Sequence, residues 1–92
     1  MTLTVFKYPV RIEEGQNIKM PTGAKLLSLG AQAGDLFMWA LVNPEASKVM
    51  RRVSVVGTGW LTPELSDMTY ISTYQTHGLS VWHLFDGGEV AP

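Results

Sequence analysis

Turn-forming residues cut this chain into seven short runs at hairpin spacing, and that spacing points to an all-β fold. Thr2 to Tyr8 reads as the first strand, closed by Pro9, with Val10 to Ile12 as an extension past a kink. After a turn at Glu13-Glu14-Gly15, Gln16 to Met20 alternates, with Ile18 and Met20 on one face. Pro21-Thr22-Gly23-Ala24 is a turn whose proline presets the first corner. Lys25 to Gln32 is the third strand, and Ala33-Gly34-Asp35 is a short hairpin loop. Leu36 to Val42 is apolar on both faces, which predicts a strand central to the fold or covered by a partner. Arg51 to Trp60 contains the fifth strand, Tyr70 to Gln75 the sixth and Leu79 to Phe85 the seventh, with a turn at His77-Gly78.

Two segments carry helix-start signals. Asn43-Pro44-Glu45-Ala46-Ser47 has a capping residue, a proline at the first helical position and an acid in the first turn. One or two turns fit there before Arg51. Thr62-Pro63-Glu64-Leu65 repeats the pattern. Few connections can hold a crossover helix, so neighbouring strands are predicted to be antiparallel. The expected architecture is a small antiparallel barrel or a two-sheet sandwich of about seven short strands, with one or two single-turn helices. Residues 1–85 are expected to form a single β domain and residues 86–92 a flexible C-terminal tail.

Charged residues make up 16% of the chain, against about 25% in a typical soluble domain. So low a charge leaves apolar surface in water unless subunits cover it, which favours a homo-oligomer. The net charge of −1 offers no electrostatic footprint for duplex nucleic acid, though a small anion needs only two or three donors. There is no cysteine, hence no disulfide, zinc-thiolate site or thiol chemistry. Neither a signal peptide nor a run of transmembrane length is seen, so cytoplasm is the expectation.

No catalytic constellation is visible, and the chain is predicted not to be an enzyme. His77 lies in a turn, and His83, between Trp82 and Leu84, reads as a packed or hydrogen-bonded strand residue. No metal or cofactor is expected, because two histidines without acids at ligand spacing make no site. Tyr70 and Tyr74 are expected to share a face with Ser72 and Thr76.

One segment stands out for binding. In Arg51-Arg52-Val53-Ser54-Val55-Val56-Gly57-Thr58-Gly59-Trp60, alternation sets Val53 and Val55 on one face and Arg52, Ser54 and Thr58 on the other. The glycine pair is not a dinucleotide fingerprint, since Thr62 stands where the third glycine belongs and no long helix follows. It is not a P-loop either, because no Gly-Lys-Ser/Thr follows. What remains is either an ordinary strand end needing positive φ or a turn whose amides meet one phosphate. Trp60 offers a stacking plane, and Tyr8 beside Lys7 joins a ring to an ammonium.

Five segments taken in order, Lys7-Tyr8-Pro9, Met20-Pro21-Thr22-Gly23-Ala24-Lys25, Trp39-Ala40-Leu41-Val42-Asn43-Pro44, Gly57-Thr58-Gly59 and Val81-Trp82-His83-Leu84-Phe85, resemble a widespread family of small bacteriophage proteins. That family in turn resembles phage anti-CBASS sponge proteins, small oligomers that sequester cyclic nucleotide immune signals without cleaving them. The resemblance breaks at Trp60, where relatives often carry histidine, which leaves the ligand open. It implies a counter-defence protein of the host bacterial cytoplasm that binds a small phosphorylated nucleotide, a cyclic dinucleotide-like signal. The expected ligand-binding residues are Lys7, Tyr8, Arg52, Gly57, Thr58, Gly59 and Trp60. A protein-interaction module that inhibits a host protein, or a minor virion or accessory structural protein, are the alternatives.

Overall fold

A computed structural model describes residues 1–78 and 80–91. The described residues form seven strands in two antiparallel sheets. They are β1 (Thr4–Pro9), β2 (Gln16–Pro21), β3 (Lys25–Gln32), β4 (Asp35–Val42), β5 (Lys48–Gly57), β6 (Thr69–Gln75) and β7 (Val81–Glu89). A 3₁₀ turn, Pro63–Asp67, separates β5 from β6. Sheet A has the order β1-β4-β3 and sheet B the order β2-β5-β7-β6. Leu79, where the seventh strand was expected to begin, lies outside the described residues, as does Pro92 in the expected tail. No helix among the described residues is long and apolar enough to cross a membrane.

β4, apolar on both faces, is the middle strand of sheet A. Met38, Ala40 and Val42 point into the core, where they join Val53 and Val55 of β5 and Leu84 of β7. Phe37, Trp39 and Leu41 point outward and are only half-buried. The β3–β4 hairpin turns through Ala33 (φ 51) and Gly34 (φ 85), the two left-handed residues a tight hairpin needs. The two sheets meet where β3 approaches β6: the Leu29 N–H donates to Ser72 Oγ at 3.2 Å.

Three expectations are corrected. Asn43-Pro44-Glu45 does not start a helix. Asn43 Oδ1 accepts from the Glu45 N–H at 3.1 Å and the Asn43 carbonyl from Ala46, a closed turn. The residues a helix needs next are drawn into β5, where Lys48, Val49 and Met50 pair with Pro21, Met20 and Lys19. Residues 86–89 are not a loose tail, because β7 runs through them to Glu89. Gly87 is the extra residue of a bulge that shifts the β5–β7 register between Arg52 and Val53, so Asp86 faces inward opposite Val53. Tyr70 and Tyr74 do not share a face. A second bulge, at Ile71, turns Tyr70 outward opposite Phe85, while Tyr74 stays opposite Trp82 against the core.

The segment between β1 and β2 closes over the outer face of β5. The Gly15 N–H donates to the buried Ser54 Oγ at 2.8 Å, and Arg52 Nη1 donates to the Gly15 carbonyl at 3.2 Å. Gly15 has φ +66, and a Cβ added there overlaps the Arg52 guanidinium. Gly15→Ala is expected to cost about 2 kcal/mol, from left-handed strain plus the displaced guanidinium. Gly23→Ala, at φ +80 with open space around it, should cost only about 1 kcal/mol. Chemical denaturation of the pair separates the two contributions, and equal losses would remove the role assigned to Arg52.

Candidate functional site

β5 ends in a tight turn. The Trp60 N–H donates to the Gly57 carbonyl at 3.2 Å, and Gly59 sits at φ 83, a conformation side-chain-bearing residues rarely adopt. Gly57 is glycine for a different reason. Its backbone is not left-handed, but the Trp60 indole lies directly over it, and an added Cβ would stand 2.6 Å from Nε1. Trp60 meets Trp82 of β7 edge-on, with centroids 5.8 Å apart and planes at 77°. Half the Trp60 surface, 51%, remains in solvent. Together Gly57, Thr58, Trp60, Ser80, Val81 and Trp82 line a cleft of ≈ 380 Å³.

A polar chain leads away from this cleft over the outer face of sheet B. Thr58 Oγ1 lies 2.7 Å from His83 Nε2, and Thr73 Oγ1 lies 2.9 Å from His83 Nδ1. Tyr70 Oη lies 2.8 Å from the same Thr73 oxygen. Alternation explains the assembly: His83 pairs across with Val56 and Thr73, all on the face opposite the core-facing Leu84. His83 thus has a threonine hydroxyl at each of its ring nitrogens. Thr58 is the link between the chain and the cleft.

The remaining predicted residues lie elsewhere. Arg52 is on the predicted face, but its Nη2 donates to both Glu64 carboxylate oxygens at 3.0 and 2.9 Å. It lines a separate cleft of ≈ 250 Å³ with Glu64, Asp67, Met68 and Gly87, where an incoming anion competes with two carboxylates. The polar face of β5 is therefore not an open anion surface, because the Gly15 segment and Glu64 already occupy it. Lys7 is on sheet A, with its Nζ donating to Gln32 Oε1 at 2.8 Å and standing 4.5 Å from the centre of the Phe37 ring. Tyr8 turns its ring toward the core, and burial pushes its phenol above the ordinary value. Of the seven residues, the structure gathers Gly57, Thr58, Gly59 and Trp60 in one turn, three of them lining the cleft. Arg52, Lys7 and Tyr8 are in other surroundings.

Residue-type reasoning passed over Trp82, His83, Thr73 and Tyr70 as site residues. Their signal was present in part, since alternation along Val81 to Phe85 already set Trp82 and His83 on opposite faces. What was missing was the neighbour across the sheet. Among the described residues, no group of three or more histidines and carboxylates is placed to hold a metal ion.

A family model described as a domain of unknown function (DUF7352) matches residues 1–92. No curated protein and no solved structure matches the chain.

Proposed function

This chain belongs to the DUF7352 family, and we propose that it is a binding protein that holds a small nucleotide at the Trp60–Trp82 cleft and retains it without turnover. The half-exposed Trp60, braced edge-on by Trp82 beside the Gly57-Thr58-Gly59 turn, carries this reading. An aromatic ring held in place is a stacking platform for a base, worth about 1–3 kcal/mol for each base stacked. Thr58 and the turn amides supply neutral hydrogen-bonding groups beside that platform. The described lining carries no lysine or arginine, so recognition rests on the base more than on phosphate charge. In the counter-defence role that the phage resemblance suggests, the ligand is a cyclic dinucleotide-like immune signal, and the protein acts by lowering its free concentration.

Titration of the protein with cyclic di- and trinucleotides, followed by calorimetry and tryptophan fluorescence, tests this. Binding with quenching is expected, and Trp60→Ala should weaken it by at least about tenfold. Affinity should change little between low and moderate salt, unlike that of a lysine-rich site. No heat and no quenching at high micromolar ligand would sink the reading.

A further inference from the structure

We propose that two copies of this chain pair through the open edge of β1, antiparallel about a two-fold axis at Phe6. The backbone sets which groups are free. The Val10 N–H donates to the Leu36 carbonyl at 3.2 Å, so the even-numbered residues of β4 turn their backbone groups toward β1. Their partners are Thr4 opposite Val42, Phe6 opposite Ala40 and Tyr8 opposite Met38. The backbone groups of Val5, Lys7 and Pro9 therefore point away from the sheet, with no backbone partner among the described residues. Pro9 falls where its missing N–H costs no bond to β4.

The side chains lead to the same edge. Phe6 stands opposite the fully buried Ala40, so its ring is on the core side of sheet A, yet it is 38% exposed. Tyr8, two residues along, packs on the core and meets Phe6 edge-on at 6.4 Å. β1 thus overhangs the core, and nothing in the described chain covers Phe6 fully. Val5, on the other face, is 51% exposed. The molecule exposes 5697 Å², where a monomer of this mass is expected to expose about 5,300 Å².

The strand is complementary to itself in one register. Setting Lys7 opposite its symmetry mate brings two ammonium groups together and faces Val5 with Pro9, which has no donor. Setting Val5 opposite Val5 leaves Lys7 to pair with Leu3, beyond the strand. Setting Val5 opposite Lys7 uses the N–H and the carbonyl of each residue, two bonds for every such pair. It also puts Phe6 against Phe6 at the axis, each ring covering the other. In this register Lys7 stands opposite Val5 rather than a second lysine, and its ammonium keeps its contacts with Gln32 and Phe37. The open edge of β2 is a poorer candidate: it is built from Gln16-Asn17-Ile18-Lys19 and carries an exposed lysine. This pairing does not rest on the nucleotide reading and stands or falls separately.

The chain has no cysteine, so a single introduced thiol reports the register. At the axis of a non-hydrogen-bonded pair, Cα atoms lie about 4.5 Å apart, within disulfide reach. Phe6→Cys, mildly oxidised with oxidised glutathione, is expected to give covalent dimer at least tenfold faster than Val5→Cys. Sedimentation equilibrium of the unmodified protein should give a dimer. Val5→Pro removes a donor from the outward side only, leaving the β1–β4 bonds intact, and should raise the dimer dissociation constant at least tenfold. A monomer at high micromolar concentration overturns the proposal, as does a dimer indifferent to Val5→Pro. Phe6→Cys cross-linking no faster than Val5→Cys does the same, even where Val5→Pro does not fold.

Discussion

Arg51→Met is expected to destabilise the protein by about 3 kcal/mol, a drop in melting temperature of roughly 15 °C for a domain of this size. Arg51 lies on the core-facing side of β5 with Val53 and Val55. Its Nε and Nη2 donate to the two Asp86 oxygens at 2.9 and 2.6 Å, and its Nη1 to the Ala24 carbonyl at 2.7 Å. The side chains are only 12% and 14% exposed. One guanidinium therefore ties β5 to β7 and to the turn that leads into sheet A. Methionine fills the space but leaves the Asp86 carboxylate without its cation and the Ala24 carbonyl without its donor.

The pH dependence of that loss identifies its origin. Burial alone would raise the Asp86 pKa, but the Arg51 hydrogen bonds, the Gly88 N–H and the Arg51 charge outweigh it and hold the carboxyl below its ordinary value. A carboxyl depressed by folding stabilises above its unfolded pKa, near pH 4, and loses that contribution as pH falls through the folded value. In Arg51→Met, burial is opposed only by the Gly88 N–H, so the carboxyl rises and protonation relieves it. Denaturation from pH 7 to pH 3 should thus show the gap between native and variant protein shrinking on acidification. Adding Asp86→Asn to Arg51→Met should recover part of the loss at pH 7. A gap that stays constant across the range would assign the loss to packing instead.

The strand count was legible because it is a local property, and so was the side of β5 on which Val53 and Val55 enter the core. A bulge at Leu27, by contrast, buries Leu26 and Leu29 together and leaves Leu27 exposed. Met38, Ala40 and Val42 alternate with Phe37, Trp39 and Leu41 in the sequence as they do in the sheet. The errors arise where one residue is inserted or where a distant segment intervenes. Gly87 and Ile71 each add a residue at a bulge, and a single insertion exchanges the faces on either side of it. That is why Asp86 looked like the start of a tail and why Tyr70 parted from Tyr74. The helix signal at Asn43-Pro44-Glu45 lost to the pairing of Lys48 to Met50 with β2, a tertiary gain that no local pattern contains. For the site, alternation placed Arg52 correctly on its strand face. It carried no information about Gly15 and Glu64, which come from other segments and engage the guanidinium. The Gly57-Thr58-Gly59-Trp60 turn stayed together because it is contiguous in the chain.

Gly57→Ala should abolish the cleft while leaving the fold nearly untouched. The Gly57 backbone is ordinary strand end, so alanine adds no left-handed strain, and the stability change should stay within about 1 kcal/mol. The new methyl, however, would stand 2.6 Å from Trp60 Nε1 and 2.7 Å from Cε2, distances no packing tolerates. The atoms it meets belong to a side chain half in solvent, so the indole moves out and the strand remains. The edge-on contact with Trp82 is then lost, which near-UV circular dichroism and tryptophan emission report without any ligand. If the cleft holds a base by stacking on Trp60, affinity should fall by at least about tenfold, as in Trp60→Ala. The double variant should bind no more weakly than either single one, because both changes remove the same platform. Altered tryptophan spectra with unchanged nucleotide affinity would separate the geometry from the function, retaining Trp60 as a lid on Gly57 and removing it from ligand binding.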